Sequence, residues 1–208
     1  MTKYPPLANP ASFALAIPDR VKYHKGYPRN YRFNAKNGTL NYEDQEQVTK
    51  PGSTFSLIPL AFRIFEAPLF SKKTRDWFEV FFLNQSGHLC GLLFHSSSVD
   101  RLQQAVAKHL IYDEISILDC VLTVRPIPRS HQEHGPYYVA DFLFEEMPQP
   151  AKDKAQEIRN AIPAIYRDDT VSHPGFIKLQ AGYQSPDFDA VHEVLQGISV
   201  NITEHVDA

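Results

Sequence analysis

The chain has 208 residues, a net charge of −3 at neutral pH and a hydrophobic fraction of 43%, a composition typical of a folded globular protein. No apolar run reaches the roughly 18 residues of a membrane-spanning helix, the N-terminus lacks the pattern of a secretory signal, and two cysteines are too few for a disulfide framework. We therefore expect a cytoplasmic protein that has no membrane partner, and the negative charge excludes a uniformly basic, histone-like binder.

Basic and aromatic residues are concentrated near the N-terminus. The segment from 20 to 36 contains no acidic residue, and it holds Arg20, Lys22, Tyr23, Lys25, Tyr27, Arg29, Tyr31, Arg32, Phe33 and Lys36. Prolines earlier in the chain disfavour a long helix there. We predict an extended arm over residues 1–31 that contacts nucleic acid through its arginines and tyrosines. The alternative is a solvated arm that only aids solubility.

A hairpin is predicted directly after this arm. Asn37-Gly38 lies between alternating apolar residues, with Phe33 before it and Leu40 after it. Asn-Gly in this setting favours the tight turn of a β-hairpin, because both residues accept positive φ angles. The hairpin would lead into the main run of strands.

Three apolar segments rich in β-forming residues follow, at 54–65, 77–83 and 88–95. Each predicts a strand, and Pro59 inside the first indicates a bend or an edge position, because proline cannot donate to a β-ladder. Residues 96–110 then predict a helix, since their apolar residues recur at helical spacing after a serine cap.

Two more strands are predicted after the helix, at 114–124 and 137–144. Prolines then mark the exit from the central region. We therefore predict three parts: the arm, a central β domain with its leading hairpin over residues 32–147, and an α-rich C-terminal appendage over residues 148–208.

The order of three strands, a helix and two strands between Thr54 and Glu145 resembles the OB-fold. The resemblance covers under half of the chain and rests on element order. It implies a mainly β fold, α+β overall, built on a five-stranded Greek-key barrel with a helix between strands three and four. It also implies that strands two and three bind the ligand, together with the loops that join strands one to two and four to five.

The loop between strands one and two, at about 66–76, is basic, and the loop between strands four and five, at about 125–136, contains arginines and histidines. Such loops are unexpected in an acidic chain. Single-stranded nucleic acid is bound by cationic grooves that carry aromatic rings on which bases stack. We therefore predict a nucleic-acid-binding surface made of Arg29, Arg32, Lys72, Lys73, Arg75, Trp77, Phe81, Arg125, Arg129, His131 and Tyr137.

Two aromatic rings of this surface belong to the predicted second strand. Trp77, Glu79 and Phe81 share one face because side chains alternate along a strand. Since Glu79 is charged, we expect this face to be exposed, which would let both rings stack on bases at roughly 1–3 kcal/mol per base. The alternative is that the rings belong to the core.

The pattern resembles single-stranded-DNA-binding proteins of phage, plasmid or bacterial replication systems. The resemblance implies binding of single-stranded DNA, or of RNA, with little sequence preference, in replication, recombination or repair. It implies no catalysis, cofactor or metal. The C-terminal appendage would mediate self-association or recruit a replication or recombination protein.

Two other functions stay open. One is a non-enzymatic OB-fold adaptor that binds proteins in a phage or mobile-element complex. The other is a metal-dependent nuclease, which would need several carboxylates to converge; Asp141, Glu145 and Glu146 are available, but no spacing singles them out. His131 and His134 form an HxxH pattern, which is a weak metal signal without further ligands.

Overall fold

The computed structural model describes residues 21–43, 46–70, 73–111, 113–132, 135–162, 164–171 and 176–184. Over these residues the protein is mainly β, which confirms the predicted fold class at that level. The strands are β1 (Arg29–Asn34), β2 (Thr39–Tyr42), β3 (Glu46–Gln47), β4 (Phe55–Leu57), β5 (Ala61–Ala67), β6 (Arg75–Leu83), β7 (Leu89–His95), β8 (Cys120–His131), β9 (Gly135–Glu146) and β10 (Phe176–Ala181). The helices are α1 (Ser97–His109), α2 (Gln149–Ala161) and the short α3 (Asp168–Val171).

The strands form two sheets. A seven-stranded sheet has the order β10-β5-β6-β7-β1-β2-β3, and a three-stranded sheet has the order β4-β8-β9. All pairings between these strands are antiparallel except that of β1 with β7. The predicted hairpin is present as β1–β2, with Phe33 opposite Leu40 and Gly38 at a φ of 66°.

The described strands do not close into the expected five-stranded barrel. The edge of β7 that would have to complete a barrel is occupied by β1, which pairs with it in parallel from Arg29 to Arg32. A strand edge can pair with one neighbour only, so β8 and β9 form a separate sheet with β4. Pro59 lies between β4 and β5, where the chain passes from one sheet to the other.

The main core lies between the two sheets. Phe78 of β6 and Phe94 of β7 stack with ring centroids 5.8 Å apart, and Phe142 of β9 meets both of them edge-on. Val99 and Leu102 of α1 complete this core, as the helical spacing predicted. Ser96 precedes α1 without a side-chain capping bond; its hydroxyl lies 3.1 Å from Nδ1 of the His95 ring instead.

A second layer covers the opposite face of the large sheet. Ala151, Ala155 and Ile158 of α2 pack in one apolar cluster with Phe81 of β6 and Tyr183, which follows β10. The residues after 148 therefore contribute a helical layer and also the edge strand β10. The part of the predicted α-rich appendage from 185 to 208 lies outside the described residues.

The expectation that Trp77, Glu79 and Phe81 face solvent is wrong. Trp77 is 5% exposed, and Glu79 and Phe81 are 0% exposed. Period-two alternation does separate them from Phe78 and the main core, but other parts of the chain cover the face they share. Phe81 packs in the cluster of the C-terminal layer, and Glu79 pairs with Arg63 and Arg167. Trp77 packs instead with Phe65, Ala67 and Leu69 of β5 and the loop after it. A charged residue on a strand did not mark a solvated face, because its charge is paired within the protein.

None of the helices within the described ranges is long and apolar enough to cross a membrane.

Candidate nucleic-acid interface

A cationic and aromatic pocket of about 270 Å³ opens where β1, β6 and β7 meet the loop after β5. It lies at the Trp77 end of the large sheet's outer face. Its walls are formed by Arg32, Phe33, Leu69, Phe70, Arg75, Trp77, Leu93, His95 and Arg167. Three residues of the predicted surface line it: Arg32 of β1 is brought together with Arg75 and Trp77 of β6, although β7 separates the two strands in the sheet.

Phe70 is an exposed aromatic ring of this pocket, and it is not among the residues predicted from the sequence. Its side chain is 62% exposed, and its backbone has a φ of 52°. The Cζ atom of Arg32 lies 5.7 Å from the centroid of its ring, and the ring of Trp77 meets it edge-on at 5.9 Å. A large apolar residue in a lysine-containing loop was the available sequence signal.

Trp77 lines the pocket as a buried side chain. Its Nε1 atom donates a hydrogen bond to the carbonyl oxygen of Ala67 at 2.9 Å, which fixes the ring. The Cζ atom of Arg75 lies 5.9 Å from its centroid, and the ring of His95 meets it edge-on at 5.3 Å. The indole therefore positions its neighbours in the pocket and is not an exposed stacking platform.

A buried ionic network underlies the pocket. Nε of Arg63 donates to Oε2 of Glu79 at 2.8 Å, and Nε of Arg167 lies 3.6 Å from Oε1 of the same carboxylate. The hydroxyl of Thr170 also donates to Oε1, at 3.0 Å. All three charged side chains are less than 5% exposed, so their pairing offsets a large desolvation penalty.

Arg167 reaches the sheet because β7 has a glycine beneath it. A Cβ atom added at Gly91 would lie 3.2 Å from Cδ of Arg167, closer than side chains ordinarily approach. The guanidinium also donates to both carboxylate oxygens of Asp169, at 2.9 and 2.6 Å. Arg167 lines the cationic pocket and also a second cavity of about 400 Å³ beside Arg29 and Asp168.

The His95 ring has a pKa below the ordinary histidine value. Desolvation of the ring is the main cause, and the positive charge of Arg75 acts in the same direction. The imidazole is therefore neutral at neutral pH.

The predicted residues of the second loop lie elsewhere, on the β8–β9 hairpin, and none of them lines the pocket. Arg125 donates to Oδ2 of Asp141 at 2.5 Å, and Arg101 donates to Oδ1 at 2.9 Å. Burial alone would raise the pKa of Asp141, but these two hydrogen bonds lower it. The remaining predicted side chains on this hairpin are exposed or half-buried, namely Arg129, His131 and Tyr137.

The other predicted residues are dispersed. Arg29 is exposed on β1, with its Cζ atom 5.6 Å from the ring centroid of Tyr42. Lys73 is exposed just before β6, and Lys72 lies outside the described residues. Phe81 is fully buried, 5.9 Å from the ring of Tyr183, so it cannot stack on a base in this structure.

Within the described ranges, no group of three or more His, Cys, Asp or Glu side chains is placed to hold a metal ion. His134 of the HxxH pattern lies outside those ranges. The chain matches no protein-family model, no curated protein and no solved structure.

Proposed function

We propose that this protein binds single-stranded nucleic acid at the cationic pocket, with little sequence preference and without catalysis. The observation that carries the proposal is the convergence of arginines and an exposed aromatic ring in one concavity, where Arg32 lies 5.7 Å from the ring of Phe70. Phosphate neutralisation by arginine and base stacking on an aromatic ring are the two contributions that such binding requires.

The position of the pocket supports a distant relation to the OB-fold as part of this proposal. With β4 and β5 taken as one first strand bent at Pro59, the antiparallel pairings of β4 to β9 and the place of α1 follow the OB order. The pocket then lies on strands two and three, beside the loop that joins strands one and two. That is where OB-folds bind oligonucleotides.

Among the described residues, the C-terminal layer leaves this end of the sheet open except for Arg167, which lines the pocket. The layer covers β6 over Glu79 and Phe81, whereas Trp77 and His95 line the pocket. A role in replication, recombination or repair, with partners recruited through residues 148–208, extends the same proposal. The adaptor and the nuclease remain the alternatives that a binding experiment separates.

Replacing Arg32 and Arg75 together by alanine is expected to weaken the binding of a labelled oligo(dT) and to reduce its dependence on salt. Each phosphate contact on a single strand contributes about 0.7 to the slope of log K against log salt concentration, so two contacts contribute about 1.4. Fluorescence anisotropy titrations over a range of salt concentrations measure this slope.

Lys108→Ala is the matched control, because this lysine is exposed on α1 and does not line the pocket. It should keep the slope of the wild type. An unchanged slope in the double variant would place the phosphate contacts elsewhere. No binding by the wild type at low salt would favour the adaptor, and Mg²⁺-dependent cleavage of the strand would favour the nuclease.

Binding is expected to tighten as the pH falls through the histidine range. The pKa of His95 is depressed in the free protein, and a nearby phosphate would raise it, since an opposite charge favours the imidazolium. Binding therefore takes up a proton, and affinity rises with proton concentration. His95→Gln should flatten the pH profile at constant ionic strength, whereas the exposed His109→Gln on α1 should not. Equal profiles for wild type and His95→Gln would contradict this assignment.

A further inference from the structure

We propose that Phe70 is the base-stacking residue of the pocket, which seats one unpaired base with its phosphate beside Arg32 and Arg75; this inference rests on the proposed function. The pocket volume of about 270 Å³ falls just below the roughly 300–1,000 Å³ of sites for drug-sized ligands. It therefore suits a single nucleotide of a longer strand and not a run of stacked bases.

The exposure of Phe70 distinguishes it from Phe33 and Trp77, since Phe33 is half-buried against the main core. Trp77 is 5% exposed and held by a hydrogen bond to Ala67, while Phe70 is 62% exposed and projects beside it. A base that stacks on Phe70 displaces water from an apolar surface that the folded chain leaves wet. The same base gains little from Trp77, whose ring is already covered.

The backbone of Phe70 supports a functional role. Its φ of 52° lies in the left-handed region, which costs a residue with a Cβ atom free energy that glycine does not lose. An exposed side chain recovers little of this through packing. Strain of this kind persists where the side chain is needed in a particular place, and here the left-handed residue directs an aromatic ring into a cationic pocket.

The arginines supply the charge at the same place. Arg32 lies 5.7 Å from the ring centroid of Phe70, and Arg75 lies 5.9 Å from that of Trp77, which contacts Phe70 edge-on. A base on Phe70 therefore brings its own phosphate towards two guanidinium groups. Because a paired base is not free to enter such a pocket, duplex DNA should bind through its phosphates alone and more weakly.

The test compares two strands and two variants. One strand is labelled oligo(dT), and the other has the same length and phosphates but abasic sugars. The wild type should bind oligo(dT) about 5- to 140-fold more tightly than the abasic strand, which corresponds to roughly 1–3 kcal/mol per stacked base at 1.4 kcal/mol per tenfold. Phe70→Leu should bind both strands equally, at the affinity that the wild type shows for the abasic strand.

Phe70→Gly gives an independent check, because it removes the ring and also relieves the backbone. It should lose the preference for oligo(dT) while its melting temperature stays equal to or above that of the wild type. Phe70→Tyr should restore the preference. Thermal melts followed by circular dichroism, recorded on every variant, separate lost stacking from lost folding.

Three outcomes would contradict the stacking role of Phe70, and they show whether the proposed function fails with it. If Phe70→Leu keeps the preference for oligo(dT), stacking occurs elsewhere and this inference is wrong, although the proposed function stands. If the wild type binds both strands equally and salt weakens both, only phosphates are recognised, and again the inference alone fails. If the wild type binds neither strand, the proposed function fails and the inference with it.

Discussion

Replacing Glu79 by glutamine is expected to lower the free energy of unfolding by about 3–5 kcal/mol, the loss typical of removing one partner from a buried ion pair. Glu79 is 0% exposed and accepts a hydrogen bond from Arg63, which is itself 4% exposed. The glutamine is nearly isosteric, so packing is kept and the missing charge is the main change. Arg63 would be left buried without its carboxylate, since Asp169 pairs with Arg167 instead.

The aromatic rings beside Arg63 reduce the expected loss of stability. Its Cζ atom lies 3.9 Å from the ring centroid of Phe65 and 4.5 Å from that of Tyr183. Such cation–π contacts contribute up to about 2 kcal/mol when desolvated, so they soften the loss of the carboxylate without replacing it.

Urea unfolding followed by the emission of Trp77, the one tryptophan of the chain, measures the effect. Thr170→Val is the matched control, because it deletes one hydroxyl donor to the Glu79 carboxylate and keeps every charge. That variant should lose about 1.5–3 kcal/mol, as is typical of a hydrogen bond to a charged group. Equal losses in the two variants would show that the network contributes only as ordinary hydrogen bonds.

Replacing Phe81 by alanine is expected to reduce stability by about 3–5 kcal/mol, as for other large aromatic side chains deleted from a core. Phe81 is fully buried in the cluster that joins β6 to α2, and its ring lies 5.9 Å from that of Tyr183. The cavity would open beneath the C-terminal layer and not within the cationic pocket, which Phe81 does not line. The affinity of the folded fraction for oligo(dT) should therefore equal that of the wild type.

The variants of Phe81 and Phe70 are expected to have opposite effects on stability and affinity. Phe81→Ala should lose stability and keep affinity, while Phe70→Leu should keep stability and lose affinity. Denaturant titrations give the first quantity, and anisotropy titrations under fully folding conditions give the second. A folded Phe81→Ala protein that no longer binds would mean that the ring reaches the ligand after all.

Local patterns were sufficient for much of the fold. Asn37-Gly38 predicted the β1–β2 hairpin because such pairs favour tight turns, and the structure has Gly38 in the turn at a φ of 66°, although Asn37 does not share the positive φ. Apolar spacing likewise predicted α1, since a helix face is defined within a few turns. The consecutive strands β5, β6 and β7 followed from short runs of β-forming residues joined by short connections.

Local sequence patterns predicted only part of the candidate site. Arg32 and Arg75 were selected because arginine is chemically suited to phosphate wherever it lies. Phe70 was missed because exposure of a ring depends on what packs around it, and its loop gives no period from which burial can be read. Trp77 and Phe81 were misassigned for the same reason: alternation separates the two faces of a strand but does not say which face other segments of the chain will cover.

The sequence by itself determined the elements whose partners are near in the chain: the mainly β class, the β1–β2 hairpin, the position of α1 and the basic character of the loop before β6. Only the tertiary structure decided the parallel pairing of β1 with β7, the burial of Glu79 against Arg167 and the meeting of Arg32 with Phe70. Each of these joins residues that are far apart in sequence and has many competitors of similar chemistry. Which of these pairings forms depends on which strand edges are unoccupied and which charged groups are buried. Both are properties of the folded chain and not of the local sequence.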